Sequence, residues 1–260
     1  MPEPVPAILN GNADGRRITP PAYIPARLIF SHMFVFAHLF CGLLLGLGFC
    51  HATHDRRAIP LCMVSSLIPD LIDKPLGLLF PVLGGGRTIF HTLIAVLIVA
   101  IITFVMVRNR YKMFGMAVVC GIFVHQVLDT MWQLPSIWAY PLFGPFPLFA
   151  LPDPGYYFRL EITTPSEWVF LIATVVMLIK IFSTGPSMPD NLHVLWKVII
   201  ILLAGMGILM VVAGLFSMDN TFLAPAYSAL TTGMAGILAL AGTAVIVLWP
   251  RSNPVTVYYK

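Results

Sequence analysis

The sequence predicts an all-α integral membrane protein, a polytopic bundle of about seven transmembrane helices. Of its 260 residues, 58% are hydrophobic and only 10% are charged, whereas soluble domains carry roughly 25% charged residues. The mean hydropathy is +0.89. The apolar residues form long runs separated by short polar stretches, and most runs approach the length that a helix needs to cross a bilayer.

Composition also excludes several classes of protein. The net charge of +4 is scattered along the chain without any run of lysine or arginine, so no nucleic-acid partner is expected. The four cysteines lack the CxxC spacing of a zinc knuckle, and they stand in apolar runs rather than in a disulfide framework. Segment 1–27 is expected to be a flexible tail, because the apolar run after it is too long for a cleavable signal peptide.

The elements follow from the apolar runs in order. Pro69 and Pro75 are expected to break the second span, and glycines 42, 46 and 48 to give the first a smooth packing face. Residues 132–158 are too rich in proline for a regular helix and predict a re-entrant or interfacial segment. The last three spans hold no acid or histidine in their interiors and are interpreted as scaffold. The predicted spans are 28–50, 58–80, 88–107, 113–131, 166–182, 195–216 and 222–249.

Three predicted regions follow: a tail (1–27), a transmembrane domain that carries a metal site (28–160) and scaffold helices (161–260).

The predicted metal site rests first on Asp70 and Asp73, two acids between apolar runs. A carboxylate in hydrocarbon costs several kcal/mol, so it persists where something pairs with it. Two acids three residues apart share one helical face and could hold a cation. The alternative is a loop at the membrane surface with both acids in water.

Two further pairs have helical spacing. His125 and Asp129 are four residues apart and therefore lie one above the other on a helix. Arg87 and His91 are also four residues apart, at the mouth of the third predicted span. An HxxxD pair can bind one divalent ion or simply hydrogen-bond within a bundle. Arg87 is either a topology anchor or, beside a metal, a fork for a phosphate.

Alternation of the predicted spans brings these pairs to one membrane face, with His38 approaching from the first span. Three imidazoles and three carboxylates suit zinc or manganese, and the share of oxygen ligands leaves iron or magnesium open. A metal with an open position activates water for hydrolysis. Ser65, Ser66 or backbone carbonyls are the expected supports of the ligands.

These motifs resemble those of the membrane-bound metal-dependent hydrolases, the group that includes LexA-regulated inner-membrane hydrolases. The resemblance rests on HLFCG from His38, PDLID from Pro69, RTIFH from Arg87, HQVLD from His125 and YPLFGP from Tyr140, and it covers roughly residues 31–147. Two departures are visible. The acid motif has one residue more than the family's PDxD, and Gly86 and Phe90 stand where the HRGxTH motif has histidine and threonine.

The resemblance implies a site and a reaction. Read position by position, it implies that His91, His125 and Asp129 hold one metal, that Asp70 bridges or acts as base, and that His38 holds a second ion. It also implies that Arg87 steadies a substrate phosphate, while Asp73 remains a further candidate ligand. The order of ligands is similar to that of zinc-dependent phospholipase C, which implies a phosphoester, phospholipid-like substrate. Trp132, Trp138 and Tyr140 are candidates to shape its entry from the lipid or, alternatively, interface anchors.

Counting basic residues predicts the orientation. The face opposite the site carries more of them, so the positive-inside rule places the site near the extracytoplasmic side of an inner membrane, although three arginines in the tail argue the other way.

The predicted site leaves out four histidines: His32, His51, His54 and His193. His51 and His54 have metal-like spacing with Asp55, but they belong to a short polar loop on the opposite face.

Two other function classes remain open beside the hydrolase. In a transporter, Asp70, Asp73 and Asp129 would form a cation or proton path. In a non-catalytic scaffold, the same residues would hold a structural metal. Sequence leaves the oligomeric state and the substrate undetermined.

Overall fold

The structure, a computed structural model, describes residues 35–80, 86–143, 154–182, 190–217 and 227–248. Throughout these ranges every regular element is a helix, as the fold class predicts. Two 3₁₀ turns, Asn109–Tyr111 and Met131–Gln133, precede and follow the helix Lys112–Leu128. The α-helices are α1 (Val35–Thr53), α2 (Ala58–Ser65), α3 (Ile68–Leu79), α4 (Leu93–Met106), α5 (Lys112–Leu128), α6 (Pro135–Trp138), α7 (Pro154–Thr163), α8 (Pro165–Phe182), α9 (Asp190–Leu215) and α10 (Ala229–Leu248).

Four of these helices are long and apolar enough to cross a membrane: α1, α8, the Val194–Leu215 part of α9, and α10. The seven predicted spans are therefore not confirmed. Helix α4 has 14 residues and α5 has 17, which corresponds to lengths of about 21 and 25 Å against a hydrocarbon core of about 30 Å. Both are apolar, but each is too short to cross that core alone.

The predicted span 58–80 consists of two helices, and the break between them does not lie at the prolines. It falls at Ser66 and Leu67, where the Ser66 hydroxyl donates to the carbonyl oxygens of His38 at 3.0 Å and of Met63 at 2.8 Å. Pro69 lies in the first turn of α3, where its missing N–H costs nothing, and α3 continues through Pro75. The predicted span is therefore interrupted at Ser66 and Leu67, while Pro69 and Pro75 both lie within α3.

Helix α1 lies at the centre and packs against α2, α5 and α8, while α9 and α10 form a hairpin against α8. The core between them includes Phe40, Phe170, Leu203 and Met210, all without solvent exposure. A Cβ on Gly46 would lie 2.6 Å from the Ile59 Cα, whereas a Cβ on Gly48 would meet nothing within 4 Å. Close helix approach therefore requires glycine at 46 and leaves Gly48 out of the predicted packing face.

The remaining predictions fall partly outside the described residues. The tail 1–27, residues 28–34 and the start of the span 222–249 lie outside them, as do residues 144–153 of the proline-rich segment. The rest of that segment contains α6, turns as far as Phe143, and α7 from Pro154. The division into three regions stays a prediction.

Candidate metal centre

The polar residues that the sequence singled out lie together at one end of the bundle. They come from the first turn of α1, the start of α3, the turn before α4 and the end of α5. Their side chains are almost completely withdrawn from solvent, with the highest exposure, 8%, at Asp70. The set consists of His38, Asp70, Asp73, His91, His125 and Asp129.

Four ligand atoms from this set lie within 4.8 Å of one another, one each from Asp70, His91, His125 and Asp129. The two Nε2 atoms are 3.2 Å apart. Asp70 Oδ1 is 3.6 Å from His91 Nε2 and 3.8 Å from His125 Nε2, and Asp129 Oδ2 has the same two distances. A tetrahedral zinc site has ligand separations of about 3.3–3.5 Å, as its bond lengths require. The group could therefore hold a metal ion after small adjustments.

Hydrogen bonds fix the orientation of both imidazoles. His125 Nδ1 lies 2.7 Å from the backbone oxygen of Ser66, which can only accept, so Nδ1 carries the proton. His91 Nδ1 lies 2.7 Å from Asp73 Oδ2 and donates to that carboxylate. When both rings are neutral and protonated at Nδ1, both Nε2 atoms carry lone pairs. Two such lone pairs and two carboxylate oxygens converge, which is the arrangement that a cation stabilises.

Asp73 lies beside this group of four rather than within it. Its Oδ2 accepts from the backbone N–H groups of Thr88 at 2.9 Å and His91 at 3.1 Å, and its Oδ1 accepts from that of Phe90 at 3.2 Å. Together with the His91 ring, these bonds use both oxygens of the carboxylate. Asp73 therefore shapes the turn that carries His91. The extra residue in PDLID places it there, one helical turn from Asp70.

His38 contacts the same carboxylate as the metal group but from the other side. Its Nε2 lies 3.3 Å from Asp129 Oδ1, while Asp129 Oδ2 faces His91 and His125. The His38 ring lies 4.2 Å from the His125 ring, centroid to centroid. His38 is thus adjacent to the group of four without belonging to it. Asp129 connects the two.

Two cations flank the centre. Arg87 Nη2 lies 3.7 Å from Asp129 Oδ2, and its side chain is only 11% exposed. Both of its terminal nitrogens are buried, and neither forms a hydrogen bond with a described residue. Lys74 binds Asp70 Oδ2 through an i,i+4 contact, and its side chain is 44% exposed. Sequence analysis did not assign Lys74 to the site, although its spacing from Asp70 was a usable signal.

The departures from the HRGxTH motif have local explanations. Gly86 has a φ of 85°, in the left-handed region that glycine adopts without a steric penalty. Phe90 contributes its backbone to the centre: its N–H donates to Asp73, and its carbonyl oxygen accepts from Gln126 Nε2. Thr92 then begins α4 by accepting from Ala95 N–H.

Sequence reasoning missed two buried polar residues. Gln126, next to His125, donates to the carbonyl oxygens of Phe90 and Thr92 and accepts from Trp138. Glu167 in the first turn of α8 is fully buried, which corrects the interpretation of that helix as scaffold without an internal acid. Its Oε2 accepts from the N–H groups of Phe36 and Ala37, directly before His38. For Gln126, a polar side chain in an apolar run was the available signal, whereas Glu167 follows the polar stretch Thr163–Ser166 and gave no such signal.

The histidines that were set aside do not reach the centre in the described residues. His51 is exposed and lies in the last turn of α1, at the end opposite the centre, and His54 follows that helix. His32 and the His193 side chain lie outside the description. Ser66 supports His125 through its backbone oxygen, while the Ser65 hydroxyl donates to Cys62. Of the supports that the sequence predicted, the structure thus shows a backbone carbonyl, that of Ser66, beside the candidate ligand His125.

Fold and site together define an α-helical membrane protein with a buried histidine–aspartate group that could hold a metal ion. The model of the YdjM inner membrane protein family matches residues 33–221. The chain belongs to that family. The match spans the whole candidate centre, and its description names a membrane location and no reaction. A search of curated proteins found no significant match, and neither did a search of solved structures.

Proposed function

We propose that this protein is a membrane-embedded, metal-dependent hydrolase of phosphoesters, with a phospholipid-like substrate. The observation that carries the proposal is the convergence of two imidazole Nε2 atoms and two carboxylate oxygens within 4.8 Å. Such a group is expensive to bury without a cation. Its position at the end of a membrane bundle supports a substrate that is itself part of the membrane.

His91, His125, Asp70 Oδ1 and Asp129 Oδ2 would hold the ion. Two nitrogens and two oxygens at these separations favour zinc, with manganese or magnesium as alternatives. A divalent ion with an open position acidifies its water and polarises a phosphoryl oxygen. His38 and Asp129 Oδ1 offer the beginning of a second site, so one or two ions are expected. Asp73 orients His91, and this role is favoured over direct ligation because its oxygens are already used.

Charge supports an anionic substrate. Asp70, Asp73 and Asp129 together outweigh Arg87 and Lys74 by one negative charge. A divalent ion reverses this balance to one positive charge, which an anion would neutralise. Arg87 is buried beside Asp129 with two terminal nitrogens facing no described hydrogen-bond partner. A guanidinium in that state suits a phosphate, which it binds through two parallel hydrogen bonds.

Asp70 has two separate oxygens for two tasks. Oδ1 faces the histidines, while Oδ2 is bound by Lys74 at the partly exposed edge of the centre. The ammonium group keeps the carboxylate ionised and fixes its plane. We assign Asp70 Oδ1 as ligand and Oδ2 as the proton acceptor towards the reacting water. Arg87 and Asp70 are thus the proposed catalytic side chains.

Family membership and charge support the proposed location. Arg56 and Arg57 follow the end of α1, Arg108 follows the end of α4, and Lys180 lies in the last turn of α8. These helix ends point away from the centre, so the positive-inside rule supports an extracytoplasmic site. Entry from the lipid is supported by exposed apolar side chains near α6. Leu142 is 83% exposed and Phe143 is 67% exposed.

Turnover by the zinc-loaded, detergent-purified protein tests the proposal. The substrates would be a phosphomonoester, a phosphodiester and a fluorescent phospholipid in mixed micelles. We expect zinc-dependent hydrolysis that His125→Ala abolishes, and Arg87→Gln should raise KM roughly tenfold or more while zinc stays bound, because charge-assisted hydrogen bonds are lost. His51→Ala is the matched control. Bound zinc without turnover on any substrate would instead support a structural metal, and ion flux in vesicles without bound metal would support a transporter.

A further inference from the structure

Gln126 has a hydrogen-bond arrangement unlike that of any neighbouring residue on α5. Its side chain is fully buried. Nε2 donates to the carbonyl oxygens of Phe90 and Thr92, both at 2.9 Å. Oε1 accepts from Trp138 Nε1, also at 2.9 Å. These three bonds define the amide orientation, since two carbonyls require the NH₂ group and an indole N–H requires the oxygen.

The partners of Gln126 belong to two different parts of the site. Phe90 and Thr92 are the residues on either side of His91, so the amide clamps the backbone at that ligand. Gln126 itself follows His125 in α5. The clamp therefore ties the two histidines, whose Nε2 atoms are 3.2 Å apart, to each other through the backbone.

Trp138 belongs to a separate unit. Met131, Leu134 and Ile137 form a small apolar cluster of their own, against which Trp138 packs. This cluster is distinct from the main core between α1, α8, α9 and α10. The same stretch continues into the exposed Leu142 and Phe143. The indole–amide hydrogen bond thus joins a segment with exposed apolar side chains to the turn that carries His91.

We propose that Gln126 is a positioning residue that couples the segment 131–143 to the metal centre, with Trp138 as the sensing side chain on that segment. The coupling depends on the orientation of the Gln126 side-chain amide. When Trp138 occupies Oε1, Nε2 is held against both carbonyls and His91 stays at its ligating distance from His125. When the indole moves, the amide can rotate, and the His91 turn loses its clamp. An amphiphile that displaces the segment would thereby change metal affinity.

This inference rests on the metal centre of the proposed function, and zinc affinity in the detergent-purified full chain tests it. The variants are Gln126→Leu, Trp138→Phe and the double variant, with Trp132→Phe as the matched control on the same segment. Competition with a chelating dye gives the dissociation constant of zinc. We expect Gln126→Leu to weaken zinc binding about 10–100-fold, as loss of an outer partner of a ligand does. Trp138→Phe should weaken it several-fold, and Trp132→Phe should leave it unchanged.

Non-additivity separates coupling from general destabilisation. The double variant should bind zinc about as well as Gln126→Leu alone, because the indole acts only through the amide. If Gln126→Leu does not fold, Trp138→Phe and Gln126→Glu carry the test, since a carboxylate keeps the acceptor for Trp138 but cannot donate to the two carbonyls. Folded variants with wild-type affinity, or strictly additive losses, overturn the inference while leaving the metal centre intact. A wild-type chain that binds no zinc overturns both.

Discussion

His91 and His125 present their Nε2 atoms to each other at 3.2 Å, and each ring is protonated on the opposite nitrogen by a fixed acceptor. Neither neutral ring can donate a proton to the other. Two lone pairs at this distance repel unless a cation lies between them or one ring is charged. A metal ion or a proton on His91 relieves this repulsion, and the oxygens of Asp70 and Asp129 favour either positive charge. Metal binding is therefore the property to measure first.

Metal content is the first prediction. The wild-type protein, purified in detergent and exposed to zinc, should retain one or two tightly held ions per chain, as sites of histidine and carboxylate ligands do. His125→Ala removes one ligand and should lower the content to near zero. His51→Ala, at the opposite end of α1, should not change it. Elemental analysis of the three proteins gives the answer, and equal zinc in all three would contradict the assignment of the site.

Asp73→Asn should weaken metal binding without abolishing it. The substitution removes the charge that receives His91 Nδ1 and places an NH₂ group among backbone donors, so His91 is no longer held in its ligating orientation. We expect a loss of about 10–100-fold in zinc affinity. Asp55→Asn, in the loop at the other end, is the control. Complete loss of zinc from Asp73→Asn, with the fold retained, would instead identify Asp73 as a ligand.

Gly46→Ala should destabilise the bundle, whereas Gly48→Ala should not. The added Cβ at residue 46 would lie 2.6 Å from the Ile59 Cα, a backbone atom that cannot move aside, and the one at residue 48 would meet nothing. Overpacking of this kind costs about 1–3 kcal/mol. Thermal unfolding in detergent compares the two variants. A melting temperature that falls equally for both would show that helix propensity or lipid contact, rather than the α1–α2 approach, decides the outcome.

Glu167→Ala should lower the free energy of unfolding by roughly 2–3 kcal/mol, because buried donors lose their hydrogen-bond acceptor. The substitution leaves the N–H groups of Phe36 and Ala37 without their acceptor. Tyr227→Phe removes only the hydroxyl that donates to Glu167 Oε1 and should have a smaller effect. Unfolding in mixed micelles measures both. A Glu167→Ala protein as stable as wild type would mean that water or lipid replaces the carboxylate at the start of α1.

Sequence alone predicted most members of the centre because helical spacing makes local neighbours visible. His125 with Asp129, and Asp70 with Asp73, are pairs within one turn of helix, so their common face follows from periodicity. Alternation of helix direction was enough to bring both pairs to one end, together with Arg87 and His91, which lie in the turn before α4 rather than on a helical face. The role of Asp73 was not visible in this way. It depends on backbone N–H groups of the turn 88–91, and a pattern of side chains contains no information about where such a turn folds back.

The hydropathy of the chain determined that it is a helical membrane protein, since so few charged residues cannot cover a soluble surface. It did not determine the number of spans, because hydropathy measures how apolar a run is and not where the helix within it starts and stops. Only the tertiary structure decided that 58–80 divides at Ser66, that Glu167 and Gln126 are buried partners of the site, and that Asp129 presents one oxygen to His38 and the other to His91 and His125. Apart from the local His125–Asp129 pair, the main contacts join residues 28 to 131 positions apart, and their energies depend on distances that exist only after the helices have packed.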